Sequence, residues 1–182
     1  LAKEIATIDA LSGGRFEFGI GAGWLRSEYE NAGMTYDKNG VRVSRLEEAI
    51  TVYKGLFSDQ PFYHQGEHYC IDGLHITPRS VQHPHPPLMI GAGKKRMLTL
   101  AGREADIVGM LTTSVASGVV ERDPSERFAE AVTEKLDWVK AGAGHRYDQL
   151  ELSLIPSILI TDNRHSTAQH LINTNGWQGV TV

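Results

Sequence analysis

Twice in this chain an apolar run of strand length empties into Gly-Ala-Gly. Phe16-Glu17-Phe18-Gly19-Ile20 leads into Gly21-Ala22-Gly23-Trp24, and Leu88-Met89-Ile90 leads into Gly91-Ala92-Gly93, followed by Lys94-Lys95-Arg96. Glycine has no Cβ to hold a ligand off, so each turn lets a molecule lie against bare backbone. The second turn opens a helix whose first amides, with nearby cations, suit a phosphate. Two parallel strands with such ends predict one pocket for a flat, phosphorylated cofactor.

The rest of the chain alternates strand-like and helix-like patterns. Ile5, Ile8 and Leu11 share a helical face, and Ser12-Gly13-Gly14 ends that helix. A strand over 15–20 and a short helix over 25–31 follow. Ser44 and Glu47 have capping-box spacing ahead of Leu46, Ile50, Tyr53 and Phe57, which recur at helical intervals. From Asp59 to Pro87 glycines and prolines break every helix, and Phe62–His64 pairs with His68–Ile71 as a hairpin across Gln65-Gly66-Glu67. Regularity returns with a strand at 88–90, a helix at 95–103 and a strand at 106–110. Asp123-Pro124-Ser125-Glu126 starts the next helix, with Phe128, Val132, Leu136 and Val139 as its buried face and Gly142 to Gly144 at its end. Leu150–Ile160 reads as a strand, Asp162 caps a last helix ending at Asn175-Gly176, and 179–182 opens a further element. Near-continuous apolar strands alternating with helices predict a parallel sheet covered by helices, either doubly wound or a (β/α)8 barrel. Four strands complete neither, so the pattern predicts an incomplete α/β domain.

Familiar motifs fail on spacing. The third glycine of a dinucleotide-binding G-x-G-x-x-G would fall on Trp24, and no ribose-binding acid ends a second strand. Leu88 and Lys95 occupy the first-glycine and Ser/Thr places of a Walker loop. His64, His68, His83 and His85 tempt a zinc reading, but Gly66 and the prolines deny them a common face, and no metal site is expected. There is no nucleophile elbow, and Cys70 lacks an evident base, so nucleophilic catalysis is not expected. Arg103-Glu104-Ala105-Asp106 reads as helix-end ion pairs and a strand cap.

Composition narrows the class. With 182 residues, 41% of them hydrophobic, the chain is long enough for one domain with a core, and its net charge of −4 carries no run suited to nucleic acid. No apolar stretch reaches the roughly 20 residues of a membrane span. A single cysteine fits a reducing cytoplasm. The chain begins at Leu1 in helical pattern and stops at Val182 in mid-pattern, which reads as a piece of something longer.

Leu11-Ser12-Gly13-Gly14-Arg15, Gly19 through Trp24, Glu28-Tyr29, Gly33, Arg42, Arg45, Glu47-Glu48, Gly66 through Tyr69, and Pro78 to Gln82 resemble the bacterial luciferase-like monooxygenases. Pro87 through Gly93 and Arg96 through Gly109 are similar to the deazaflavin (coenzyme F-420) oxidoreductase branch of that superfamily. The resemblance implies an incomplete (β/α)8 TIM barrel in a single partial domain over 1–182, with strands four to seven and an insertion at 59–87 before strand five. It implies FMN or coenzyme F-420 as cofactor, held by Ala22, Gly23 and Trp24 against the ring, with Ser27 nearby, and by Gly91, Ala92, Gly93, Lys94 and Lys95 at the ribityl chain and phosphate. Trp24 stands where some relatives carry a catalytic glutamate. The implied activity is hydride transfer or oxygen activation on a small-molecule substrate, with no catalytic residue assigned; the exposed strand edges of an incomplete barrel would favour a homodimer. A truncated, non-catalytic relative is the competing expectation.

Overall fold

The computed structural model describes residues 1–111, 124–154, 159–177 and 180. Helix α1 (Ala2–Ser12) ends at Gly13, whose φ of 65° closes the helix in the left-handed conformation that glycine adopts without strain. Strand β1 (Phe18–Ile20), α2 (Arg26–Asn31) and α3 (Asn39–Leu56) follow, then the hairpin β2 (Phe62–Gln65) and β3 (Cys70–Leu74). Next come β4 (Leu88–Ala92), α4 (Lys95–Glu104), β5 (Ile107–Met110), a 3-10 turn at Pro124–Arg127, α5 (Ala129–Ala143), a second 3-10 turn, β6 (Glu151–Leu154) and α6 (Arg164–Asn175).

The main sheet has the order β1-β4-β5-β6, every pair parallel. Phe18 lies opposite Leu88 and Ile20 opposite Ile90. Strand side chains alternate between the two faces of a sheet. One face therefore carries Phe18, Leu88, Ile90 and Val108, all buried. This is the helix-covered core, reinforced by Leu46, Ile50 and Tyr53 of α3 and Leu98 of α4. The other face carries Gly19, Met89, Gly91, Ile107 and Gly109, three of the five being glycines. Fold class is thus mixed α/β with a parallel sheet, as the alternation predicts.

Helices α4 and α5 touch through reciprocal glycines. A Cβ at Gly102 would run into the Val139 carbonyl, and one at Gly142 into the Thr99 carbonyl. The 59–87 segment is fastened to α1 by Asp9, which is wholly buried. Its carboxylate accepts bonds from the Val81 amide (2.8 Å), the Gln82 amide (3.0 Å), the Gln82 side chain (2.6 Å) and the Ser80 hydroxyl. Burial would raise the Asp9 carboxyl, but these donors hold it below its ordinary value of 3.8. Glu48 of α3 similarly receives the amides of His68 (2.9 Å) and Tyr69 (2.7 Å) and the His64 ring (3.1 Å), pinning the hairpin.

Several local expectations are corrected. Helix α3 begins at Asn39, and Ser44 does not cap it: its hydroxyl accepts a bond from Arg96 (3.0 Å). Only Ile5 of the three apolar α1 positions is buried, while Leu11 is 84% exposed. The hairpin turn spans Gly66 to Tyr69, one step beyond the expected tripeptide. Strand β4 runs on through Gly91 and Ala92. Helix α5 starts at Ala129 after the 3-10 turn, Phe128 is 40% exposed, and Lys135 is buried on its inner side instead. Asn163 rather than Asp162 caps α6, its side chain accepting the Ser166 amide at 3.0 Å. The expected helix start at Asp123, the middle of the 150–160 strand and all but Val180 of 179–182 lie outside the described residues.

Candidate cofactor site

The in-register parallel pairing of β1 and β4 puts both glycyl turns at the same carboxyl-terminal rim; one more step of that register sets Gly21 beside Gly91. Between them lies a cavity of about 320 Å³ whose walls include Gly21 through Trp24 and Gly91 through Lys94. The first residues of α3, from Asn39 to Val43, and Arg96 and Met97 of α4 close its sides. Ligand clefts start at about 300 Å³, so the volume admits a ring system. A Cβ at Gly21 or Gly91 would meet no atom within 4 Å, so both glycines leave open space that a side chain would fill. The residues present therefore fit a flat cofactor.

The first turn is held from behind by three side chains. The Tyr29 hydroxyl donates to the Ala22 carbonyl (3.4 Å), the Arg42 guanidinium to the Gly23 carbonyl, and the Tyr36 hydroxyl to the Trp24 carbonyl (2.8 Å). In a trans peptide the N–H lies opposite the C=O, so anchoring these oxygens also fixes the amides of Gly23, Trp24 and Leu25. Gly23 has φ 72°, and a Cβ there would land on the Tyr29 hydroxyl, so only glycine suits this position. Arg42 is 5% exposed; it also donates to the Asp37 carbonyl (3.1 Å) and to the Asn39 side chain, and lies 4.1 Å from the centre of the Tyr36 ring.

Seven of the eight sequence-assigned cofactor residues, Ala22, Gly23, Trp24, Gly91, Ala92, Gly93 and Lys94, line this cavity. Lys95 does not; it borders a separate groove with Glu47, Thr99 and Arg103. Ser27 is exposed on α2, away from the cavity lining. Lys94 is bonded to Glu126 at 2.8 Å, and Glu126 also holds buried Lys135 (3.0 Å), which donates to the Leu111 carbonyl (3.0 Å). Burial opposes ionisation of Glu126, but the two ammonium groups keep its carboxyl below the ordinary 4.5. A protein carboxylate thus answers the cation at the start of α4. Sequence reasoning gave no role to Arg42, Asn39 or Met97, and took Arg96 only as one of the cations that follow Gly93. The signal available was their position in the first turns of α3 and α4, the long helices downstream of each glycyl turn.

Among the described residues no cluster of His, Cys, Asp or Glu suits a metal: His64 is bonded to Glu48, and Cys70 is exposed beside Gln65. No described helix is long and apolar enough to cross a membrane. Arg103 and Glu104 form the expected helix-end pairs, and Asp106 accepts the Leu88 amide at 2.9 Å.

The chain is an α/β protein with a parallel sheet and an open cleft at the carboxyl ends of its strands, the edge at which such folds seat ligands. Residues 1–177 match the family model described as luciferase-like monooxygenase, and the chain belongs to that family. It is 30% identical over 105 residues to an FMNH(2)-dependent dimethylsulfone monooxygenase of Pseudomonas putida, covering 58% of this chain and 29% of that protein. It is 28% identical over 177 residues to an F420-dependent glucose-6-phosphate dehydrogenase of Kineococcus radiotolerans, covering 97% of this chain and 48% of that protein. In structure it resembles an F420-dependent secondary alcohol dehydrogenase solved with an F420-acetone adduct, with TM-score 0.66, 19% identity and coverage of 84% of this chain and 43% of that one. The chain spans less than half the length of these relatives.

Proposed function

We propose that this chain is the cofactor-binding portion of a flavin- or deazaflavin-dependent oxidoreductase, with FMN or coenzyme F-420 seated in the cavity between the two glycyl turns. The observation that carries this reading is the shared cavity itself: turns whose leading glycines, Gly21 and Gly91, are 70 residues apart meet on either side of one space. In this reading β1, β4, β5 and β6 are strands four to seven of a luciferase-like barrel, 1–182 is one partial domain, and 59–87 is its insertion. Ala22, Gly23 and Trp24 face the ring, and Gly91, Ala92 and Gly93 the ribityl chain. Arg96, which lines the cavity and is braced by the Gly40 carbonyl (3.2 Å), joins Lys94 near the phosphate. Lys95 is left to the outer groove.

When bound, the cofactor supplies hydride transfer or oxygen activation. The chain's own residues bind and orient it: glycines admit the ring, the Tyr29–Arg42–Tyr36 bracket fixes the turn, and Trp24 covers one side. The substrate is a small molecule, and the compartment is the cytoplasm. Titration of the chain with FMN and with F-420, followed by fluorescence, gives saturable one-to-one binding of at least one. Absence of binding by both refutes the reading.

A second reading draws on Leu152 and Leu154, which are 40% and 42% exposed on edge strand β6. Such an edge favours self-association of a non-catalytic relative or a homodimer. Light scattering that finds a monomer able to turn over substrate excludes the non-catalytic reading.

A further inference from the structure

Arg42 is a buried charge with no counter-ion among the described residues. Its bonds go to two carbonyl oxygens and one amide oxygen, and its guanidinium lies over the Tyr36 ring. Asp37, the nearest acid along the chain, gives its carboxylate to Arg45 at 2.6 Å. Among the described residues no carboxylate lies within salt-bridge distance of Arg42. Removing a guanidinium from water is costly, and neutral dipoles offset only part of the cost, so buried charges are ordinarily paired. Yet Arg42 lines the cavity directly. An occupant of the cavity is placed to pair it.

We propose that Arg42 is the counter-charge for the bound molecule, so that the cavity selects an anionic planar ring over a neutral one. This rests on the cofactor reading above. For FMN, uptake of two electrons and one proton adds one negative charge to the ring system, while the phosphate is the same in both forms. Arg42 therefore tightens the reduced anion more than the oxidised ring and raises the midpoint potential of the bound couple. Arg42 is a positioning residue for the Gly23 turn as well, and the two roles separate by experiment. Holding the turn serves both redox forms alike, whereas the charge favours one.

The test measures dissociation constants of oxidised FMN and of anaerobically reduced FMN for the parent chain, R42K and R42Q, together with the bound midpoint potential. Lysine keeps the charge, and glutamine keeps a donor for the Gly23 carbonyl without it. The parent is expected to bind reduced FMN at least tenfold more tightly, which corresponds to a rise of about 30 mV for a two-electron couple. R42K keeps most of that ratio, and R42Q brings it to about one. A parent ratio of one overturns the proposal whether or not R42Q folds. So does an R42Q that weakens both forms equally with the ratio intact, which leaves only the turn-holding role. A parent that binds neither form of FMN overturns the counter-charge proposal, and the cofactor reading itself falls only when F-420 also fails to bind.

Discussion

Replacing Gly91 by valine separates the cofactor's needs from the fold's. Gly91 sits on β4 outside the left-handed region, and a Cβ there meets nothing within 4 Å, so the folded backbone accepts a side chain without strain. Valine suits a strand and restricts the unfolded chain, a gain of about 0.4–1 kcal/mol. In a chain this size that raises the melting temperature by roughly 1–4 °C. Binding moves the other way. A ring resting on bare backbone lies about 3.5–4.0 Å away, and the new Cβ stands about 1.5 Å out. A gap of 0.5–1 Å already forfeits a quarter to a half of each atom-pair attraction of about 0.1–0.2 kcal/mol. About ten ring atoms, each losing half of two or three such contacts, give up ~2 kcal/mol, roughly 10- to 30-fold in affinity. Fluorescence titration with FMN or F-420 and a thermal melt of the same sample read the two effects separately. Unchanged affinity refutes the seating against Gly91, and a lowered melting temperature refutes the open space at that position.

The reciprocal contact between α4 and α5 predicts that G102A and G142A each destabilise by about 1–3 kcal/mol in urea unfolding, because backbone meets backbone there and the gain in helix propensity of roughly 1 kcal/mol is outweighed. G23A, forced to a positive φ and against Tyr29, costs about 1–2 kcal/mol and weakens cofactor binding; Y29F with normal binding and G23A with none would show that strain, rather than the lost hydroxyl, matters. Asp9, Glu48, Glu104 and Glu126 all have carboxyls held below their ordinary values by donors or cations despite burial. The unfolded chain therefore takes up protons first as pH falls, so the stability they contribute is complete above about pH 5 and is lost as pH drops through the ordinary carboxylate range and into the folded values. Urea midpoints at pH 7, 5 and 3.5 should fall steeply between the last two, and D9N should flatten that fall.

The strand–turn units and the helices around them were legible because period and punctuation are local: Gly13 and Gly176 end their helices where the pattern placed them. The pocket's floor was legible for the same reason, since a parallel sheet brings like turns to one rim. Its walls were not. Arg42 lies 19 residues beyond Gly23, and its bond to that carbonyl depends on how α3 docks. Lys94 and Lys95, adjacent in sequence, diverge because one reaches Glu126 while the other faces an outer groove. The apolar pattern of α1 misled for a related reason: Leu11 finds no neighbour among the described residues to cover it, whereas Asp9 finds four donors.

Strands β1 and β6 stand at the two ends of the sheet, each with one backbone ladder not taken up by another described strand. Both run in the same direction as the strands between them, so a segment joining either end in the same sense cannot arrive by a tight reversal. It must travel back along the sheet first, and such a return is normally a helix. Whatever extends this sheet in parallel thus brings its own covering layer, and the rim holding Gly21 and Gly91 would grow by whole strand-and-helix units.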